Sequence, residues 1–350
     1  MKKFLLHIFI ILLPFITIPI VNFTIDPAHV YGHGGYEKQL CSMLKEKNMN
    51  VSNVDKNFNV RYFKKLLAQS KMDSVNMLIL GSSRVMQISQ YNYPPSICNL
   101  GVSGAITEDI ASLAYIYLKN NPKPNKVLIG ADPQFFNLKA DSRWRIFYKE
   151  YNSYLALFNI KEQERNIAYK YENFANLFSI TYFRESLDFW QERQELPRLT
   201  IVAEKDSVFA STYRPNGSSY GGNQYKIGSS EEAATFVYRQ WLNYSGIDST
   251  RVKEFERLIR YIQETNGIKL YFWFAPYHPA TYNNLMTAPQ YSGMREAMIL
   301  MRELAHKYDI QILGSYNPSE CNCNDSCFSD GMHYNRWGLE RIVATFPMKD

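Results

Sequence analysis

Residues 75–83 constrain the fold more than any other stretch of this sequence. A mostly apolar run of six residues ends abruptly in Gly81, Ser82 and Ser83. Such a run predicts a buried strand that stops at a tight turn before a helix. In an open parallel sheet the carboxyl ends of the strands form the binding crevice, so we expect Ser83 to face a ligand. The alternative is a turn whose serine only caps the next helix.

A second motif, Asp-x-x-His from Asp330 to His333, lies near the other end of the chain. A serine is a weak nucleophile until a base takes its proton, and the base works best when a carboxylate orients it. We therefore predict Ser83 as nucleophile, His333 as base and Asp330 as the orienting carboxylate. His278 ends another apolar run and is a rival base or a substrate contact, but it has no aspartate three residues before it.

Together with the block from Asn99 to Gly104, these motifs resemble the SGNH or GDSL-type hydrolase superfamily. In that superfamily a serine follows the first strand, an Asn-x-x-x-Ser-Gly-like block follows the second, and a C-terminal Asp-x-x-His completes the site. The resemblance implies that Ser83 is the nucleophile and that Ser82 takes the position usually held by aspartate. It also implies that the backbone N–H groups of Ser83 and Gly104 bind the oxyanion.

The Gly-Ser-Ser variant and the apolar N-terminal segment look most like the membrane-anchored acyl-transfer branches of that superfamily. These branches include the teichoic-acid D-alanylation (DltD-like) and exopolysaccharide O-acetylation proteins. The resemblance covers the sheet, about half of the chain.

The third block of the superfamily differs in this chain. The superfamily usually presents Gly-x-Asn-Asp, whose asparagine donates to the oxyanion, whereas Asp132 stands at that position here. An ionised carboxylate only accepts hydrogen bonds. Either Asp132 is protonated, or it orients another group, or another donor such as Arg84 or Asn137 takes its place. We favour the second alternative.

The alternation of strand and helix patterns after Ser83 predicts the fold class. It indicates an α/β protein with a flavodoxin-like, doubly wound parallel sheet and right-handed crossovers. Further strands are predicted at residues 96–100, 126–131, 268–275 and 309–313. Helices are predicted at residues 54–72, 107–119, 248–265, 293–308 and 335–346.

Residues 141–247 interrupt this alternation and are predicted to be a mostly helical insertion within an α/β domain that spans residues 54–350. Helical patterns occur at residues 148–158 and 162–178, whereas residues 213–222 are too rich in glycine for a core element. An insertion between strands of such a sheet lies above the crevice, so we interpret it as a lid over the substrate. The alternative is a surface excursion without contact to ligand.

The N-terminus predicts attachment to a membrane. Lys2 and Lys3 precede an apolar run at residues 4–23, which is long enough for a single-pass anchor over residues 1–25. The lysines favour a cytoplasmic N-terminus and a periplasmic or extracellular domain. A cleaved signal peptide is the alternative, although no small-x-small site follows. Residues 26–53 show little periodicity and are predicted to be a membrane-proximal connection.

Composition narrows the class of protein. Hydrophobic residues make up 46% of the 350 residues, which suits a globular core, and the net charge of +6 is too scattered for nucleic-acid binding. We expect no cofactor. Three of the five cysteines, Cys321, Cys323 and Cys327, precede Asp330, and a disulfide that closes this loop or joins it to Cys41 is predicted. A metal site that uses these thiolates is the alternative, but their spacing is not that of zinc sites.

These features predict serine-dependent ester hydrolysis or acyl transfer of an O-acyl or O-acetyl group on a cell-envelope polysaccharide or other glycan. An exported transferase often needs a membrane protein that delivers the acyl group, so such a partner is expected beside the glycan and the acyl donor. The alternative is a catalytically silent glycan-binding or assembly subunit on the same fold, because fold does not fix function. Asp132 is the residue that favours this alternative.

Overall fold

A computed structural model describes residues 2–27, 31, 35–54, 58–73, 75–89, 96–137, 142–160, 174–194, 199–203, 211–221, 226–236 and 246–343. The strands are β1 (Asn50–Ser52), β2 (Met77–Leu80), β3 (Ile97–Asn99), β4 (Lys126–Gly130), β5 (Thr200–Val202), β6 (Thr212–Tyr213), β7 (Ser219–Tyr220), β8 (Lys269–Phe274) and β9 (Gln311–Gly314). The helices are α1 (Lys2–Ile25), α2 (Gly35–Lys47), α3 (Val60–Gln69), α4 (Thr107–Asn120), α5 (Tyr148–Ala156), α6 (Ile180–Gln194), α7 (Ser230–Phe236), α8 (Ser249–Arg260), α9 (Pro279–Thr287), α10 (Ser292–Lys307) and α11 (Arg336–Val343).

Five of these strands form one parallel sheet in the order β3-β2-β4-β8-β9. This is the flavodoxin-like order, in which the chain reverses direction across the sheet beside its first strand. Successive side chains of each strand point to opposite faces. Leu78 and Phe272 therefore pack in the larger core, whereas Ile79 and Trp273 pack in a separate core on the other face. The predicted parallel α/β sheet, covered on both faces, is confirmed.

The helix that immediately precedes the parallel sheet, α3, is shorter than predicted. It spans Val60–Gln69 instead of residues 54–72. The side chain of Asn59 accepts a hydrogen bond from the backbone N–H of Tyr62 and so fixes the start of the helix. Ser70 adopts an extended backbone and its N–H donates to the carbonyls of the last turn, which ends the helix.

A second, antiparallel sheet was not predicted. It has the order β5-β1-β6-β7 and joins residues 50–52 to three short strands of the insertion. Within the predicted membrane-proximal connection, residues 35–47 form α2 and residues 50–52 form β1. Strands of two or three residues are too short to show an alternating pattern, and this is why the sequence did not reveal them.

The glycine-rich residues 213–222 were predicted to be too rich in glycine for a core element. Residues 212–220 form a hairpin of β6 and β7, whose turn includes Gly217 with φ of +87°. A Cβ atom at Gly217 would lie 2.4 Å from the carbonyl oxygen of Asn99. Glycine is therefore needed here for close approach of two backbones, and the segment packs against β3.

The rest of the insertion is described in pieces. Its described helices are α5, α6 and α7, and most of the helix predicted at residues 162–178 lies outside the described residues. Beside these helices, the insertion contributes the short strands β5, β6 and β7.

The N-terminal residues form α1, and its C-terminal end packs against α6. The side chain of Asn22 donates to the carbonyl of Asn176, and the hydroxyl of Tyr182 donates to Asp26 at 3.0 Å. Among the residues that the structure describes, no helix meets the requirements of length and apolar character for a membrane span.

The five cysteines are free thiols, and all are buried. The predicted disulfide is therefore absent. Cys321, Cys323 and Cys327 pack together in the smaller core as small apolar side chains. No group of three or more potential ligands among the described residues is arranged to hold a metal ion.

Candidate active site

Ser83 lies at the first residue of a 3-10 turn immediately beyond β2. The turn is tight because Gly81 has φ of +147°, and a Cβ atom there would lie 3.2 Å from the Cα atom of Gly130 in the neighbouring strand. Ser82 is buried, and its hydroxyl accepts a hydrogen bond from the N–H of Arg84 at 3.3 Å. Ser82 therefore caps the turn, while the half-buried Ser83 stands at the carboxyl end of the sheet.

The structure brings Ser83, His333 and Asp330 together in series. The Oγ atom of Ser83 lies 2.8 Å from Nε2 of His333, although 250 positions separate the two residues. On the other side of the ring, Nδ1 of His333 lies 2.9 Å from Oδ2 of Asp330. Because an ionised carboxylate only accepts, Nδ1 carries the proton and Nε2 presents its lone pair to the serine hydroxyl.

Asp330 is held as a carboxylate by its surroundings. Its Oδ1 atom accepts hydrogen bonds from the backbone N–H groups of Met332 and His333, both at 2.9 Å. Burial by itself would raise the pKa of Asp330, but the hydrogen bond and charge of His333 and the two backbone donors bring that pKa below its usual value. The negative charge is therefore present at neutral pH and stabilises an imidazolium at His333.

Gly104 lies in the loop between β3 and α4 and has φ of +60°. Its carbonyl oxygen accepts a hydrogen bond from Arg61 at 3.1 Å, and Arg61 also pairs with Asp109 at 2.7 Å. Both partners are buried. Asp109 in turn accepts from the N–H of Ile106 at 3.0 Å, which closes the start of α4. A buried ion pair thus fixes the loop that carries the predicted oxyanion donor.

Sequence reasoning missed Arg61 and Asp109. Asp109 could have been found, since an acidic residue at the third position of a helix is a capping signal. Arg61 gave no signal because its partners are 43 and 48 positions away.

Asn99 links the end of β3 to the serine turn. Its Nδ2 atom donates to the carbonyls of Val85 at 2.7 Å and Ile88 at 2.9 Å, while its Oδ1 atom accepts from the N–H of Gly101 at 2.9 Å. The side chain is fully buried. Asn99 therefore connects the turn that follows β2 to the loop that follows β3.

Asp132 and Arg84 form a buried ion pair behind Ser83, with 3.0 Å between Arg84 Nη1 and Asp132 Oδ1. Arg84 also donates to the carbonyls of Ala275 and Pro276 at 2.6 and 2.5 Å. Its guanidinium is stacked on Tyr277. Burial by itself would lower the pKa of Arg84, but Tyr277, Tyr334 and Asp132 raise it, so the guanidinium stays charged.

These contacts decide between the alternatives for Asp132. It orients another group, as favoured, and that group is Arg84. Arg84 is buried, and its Nη1 and Nη2 atoms donate to Asp132, Ala275 and Pro276, so these terminal nitrogens are not placed to donate to the oxyanion. Asn137 is buried at the end of the 3-10 turn Pro133–Phe136, where its N–H donates to Gln134.

His278 caps a helix, whereas Ser83 is hydrogen-bonded to His333. The ring of His278 is fully buried, and Nδ1 accepts a hydrogen bond from the N–H of Ala280 at 3.1 Å, so His278 caps α9. This helix was not predicted, although proline at its first position is a start signal. The backbone N–H of His278 donates to the carbonyl of Gly331 at 3.1 Å. His278 therefore supports the loop between Asp330 and His333 through this backbone hydrogen bond.

Comparisons with known proteins give little further information. No protein-family model matches the chain, and no curated protein matches it. A solved structure titled "The structure of a putative platelet activating factor from Streptococcus pneumonia" aligns with 82% of this chain and 88% of that chain, at 10% identity and a TM-score of 0.39. The sheet topology establishes the α/β fold.

Proposed function

We propose that this protein is a serine-dependent esterase or O-acyltransferase that forms an acyl-enzyme on Ser83. The observation that carries the proposal is the continuous hydrogen-bonded series from Ser83 through His333 to Asp330. Hydroxyl, imidazole and carboxylate in this order are what nucleophilic catalysis on an ester requires.

In the first step, Nε2 of His333 takes the proton of Ser83 as Oγ attacks the carbonyl carbon of the ester. The oxyanion that develops receives hydrogen bonds from the backbone N–H groups of Ser83 and Gly104. His333 then passes its proton to the departing alcohol, and the acyl group remains on Oγ. The carboxylate of Asp330 stabilises the imidazolium between these two transfers.

In the second step, a hydroxyl displaces the acyl group from Ser83 by the reverse route. Water as the acceptor makes the protein an esterase, and a sugar hydroxyl makes it an acyltransferase. The side chains of His333 and Asp330 keep 28% and 26% of their exposure, so the site is open. Pockets for small ligands bury most of the ligand surface, and an open site suits a polymer better.

We therefore propose an O-acyl or O-acetyl group on a cell-envelope glycan as the substrate class, in keeping with the resemblance to polysaccharide-modifying acyl-transfer proteins. This proposal requires an exported protein and, for transfer, an acyl donor with a membrane protein that delivers it.

A catalytically silent glycan-binding or assembly subunit is the second candidate. The pairing of Asp132 with Arg84 favours it, because the described contacts then leave only backbone donors for the oxyanion. The aligned triad favours catalysis, since a binding subunit does not need an imidazole between a hydroxyl and a carboxylate.

Labelling with a fluorophosphonate tests the proposal, because such reagents react with serines that a base has activated. We expect labelling of the wild-type protein at Ser83, located by mass spectrometry of peptides, and none in Ser83→Ala. Ser153→Ala is the matched control, since Ser153 is an exposed serine in α5, and it should be labelled like wild type.

Labelling of Ser83→Ala, or no labelling of the wild type, would contradict catalysis on Ser83. Released acetate and acetyl groups gained by an added oligosaccharide, measured with an acetyl ester as donor, would then separate hydrolysis from transfer.

A further inference from the structure

The triad has two halves that come from distant parts of the chain. The serine half is the turn that carries Ser83, and the histidine half is the loop that carries Asp330 and His333. The insertion contacts both halves. Two described pieces of the insertion are concerned: the hairpin, residues 211–221, and the arm, residues 226–236. The hairpin lies against the turn that carries Ser83. The arm lies against the loop that carries Asp330 and His333.

The hairpin is hydrogen-bonded to the serine half through its backbone. The N–H of Ser219 donates to the carbonyl of Met86, at the end of the serine turn, at 2.8 Å. The N–H of Asn99 donates to the carbonyl of Asn216, also at 2.8 Å. These bonds connect the hairpin to both sides of the carboxyl end of the sheet near Ser83.

Lys64 reinforces this attachment from inside the protein. Its side chain is fully buried, and Nζ donates to the carbonyls of Asn99 at 2.8 Å and Gly217 at 2.6 Å. Burial lowers the pKa of Lys64 to about 7. A buried amino group is costly unless it is hydrogen-bonded. The hairpin therefore supplies an acceptor that this lysine needs, and displacing the hairpin would leave the lysine short of one.

The arm is attached to the histidine half just as closely. The N–H of Gly228 donates to the carbonyl of Phe328 at 2.9 Å. A Cβ atom at Gly228 would lie 2.7 Å from the carbonyl oxygen of Ser329 and 3.1 Å from the backbone nitrogen of Asp330. The hydroxyl of Ser230 donates to Asp325 at 2.5 Å. The arm thus packs directly on the residue that precedes Asp330.

We propose that the hairpin and the arm act as a strap that holds the serine half and the histidine half of the triad in register, with Gly228 as the positioning residue on the histidine side. This inference rests on the proposed function and replaces the interpretation of the insertion as a lid. Catalytic hydrogen bonds tolerate displacements of only about 0.5 Å. A strap bonded to the backbone on both sides restricts such displacements without touching the reacting atoms.

Gly228→Ala tests the strap, because the added methyl group forces the carbonyl of Ser329 away by several tenths of an ångström. Gly35→Ala is the matched control, since a Cβ atom at Gly35 meets nothing within 4 Å. The measurements are hydrogen exchange of the backbone amides of residues 325–334 and the rate constant of fluorophosphonate labelling between pH 5 and 9.

We expect faster exchange in residues 325–334 of Gly228→Ala and labelling that is slower by about 10²-fold. The pH midpoint of labelling should also move lower, because a displaced Asp330 no longer supports the imidazolium. The thermal midpoint should change little, since the arm lies outside both cores. Exchange and labelling within twofold of Gly35→Ala would overturn the proposal.

Lys64→Met tests the other end of the strap. It removes the buried amino group at similar volume, and we expect faster exchange at Val85, Met86 and Ile88. Unchanged exchange there would contradict the attachment of the hairpin. Exchange does not depend on activity, so the two proposals fail separately. Absence of labelling in the wild type would defeat catalysis, whereas unchanged exchange in both variants would defeat the strap.

Discussion

The serine half and the histidine half of the site are built in different ways. Around Ser83, the residues Ser82, Arg84 and Asn99 are each no more than 1% exposed, and their side chains hold the turn. Around His333, the loop is held mainly by its backbone, for example by the N–H of Ser329, which donates to the carbonyl of His333 at 2.8 Å. The side chains of His333 and Asp330 remain more than a quarter exposed.

The two constructions meet two different structural requirements of the same site. The nucleophile and the oxyanion donors need a fixed position, and buried side chains in a close-packed sheet provide it. The base needs solvent and substrate on one side, so it lies on a loop whose position depends on its neighbours. We therefore expect substitutions of the buried residues that support Ser83 to lower stability, and substitutions in the histidine half to lower activity at little cost in stability.

The largest effect on activity should come from substitutions in the triad itself. Ser83→Ala and His333→Ala should each lower kcat by about 10⁴- to 10⁶-fold, because each removes a member of one reacting unit. The double variant should lose little more than either single one. Steady-state kinetics on an acetyl ester would measure this, and additive losses would show that the two residues act independently.

The largest effect on stability should come from the serine half. Arg84→Met leaves the carboxylate of Asp132 buried without its cation and should lower the free energy of unfolding by about 3–5 kcal/mol. Replacing both residues by apolar side chains should restore much of this loss. Urea unfolding would measure both variants, and a loss below about 1 kcal/mol for Arg84→Met would contradict the assigned role.

Arg61→Leu should act on the oxyanion side. It frees the carbonyl of Gly104, so kcat should fall by about 10²-fold with little change in KM. Arg251→Met is the control, since it breaks the neighbouring buried ion pair with Glu108 on the same helix. If both variants lower kcat equally, the effect belongs to stability and not to the loop.

The smallest expected effect is a change in how the free energy of unfolding depends on pH. Burial lowers the pKa of His278 below its usual 6.5, so the unfolded chain takes up this proton first as the pH falls. The free energy of unfolding should therefore decrease as the pH falls below about 6.5. His278→Asn keeps a helix-capping side chain and should remove this component. His306→Asn, at an exposed helix position, should leave it intact; unfolding curves at pH 7.5 and 5.5 would compare the three proteins.

The sequence revealed the parallel sheet because its strands are apolar runs bounded by turns, as in residues 75–83 and 268–275. It did not reveal β5, β6 and β7, which are too short to show a pattern. The helix α9 was missed because the prolines around His278 were interpreted only as the end of the preceding strand. In each case the signal that fixes the element lies in tertiary contacts or in a cap, which periodicity does not report.

The residues of the candidate site likewise fall into those that the sequence could predict and those that it could not. Ser83, His333 and Asp330 were predictable because their chemistry depends on side-chain type. The role of Gly228 depends on the absence of a side chain against a backbone about 100 positions away, and that of Arg61 on a carbonyl of the loop. Asp132 was predicted to orient another group, but its partner Arg84 became apparent only in three dimensions.

The most direct test of a triad that acts in series is the rate constant for fluorophosphonate labelling of Asp330→Asn relative to wild type. The carboxylate only fixes and stabilises the imidazole, so the variant should keep its fold and lose about 10⁴-fold in rate, because the amide favours the wrong tautomer of His333. A labelling rate equal to that of wild type, in a variant of unchanged stability, would show that Asp330 does not serve His333 and would contradict the account.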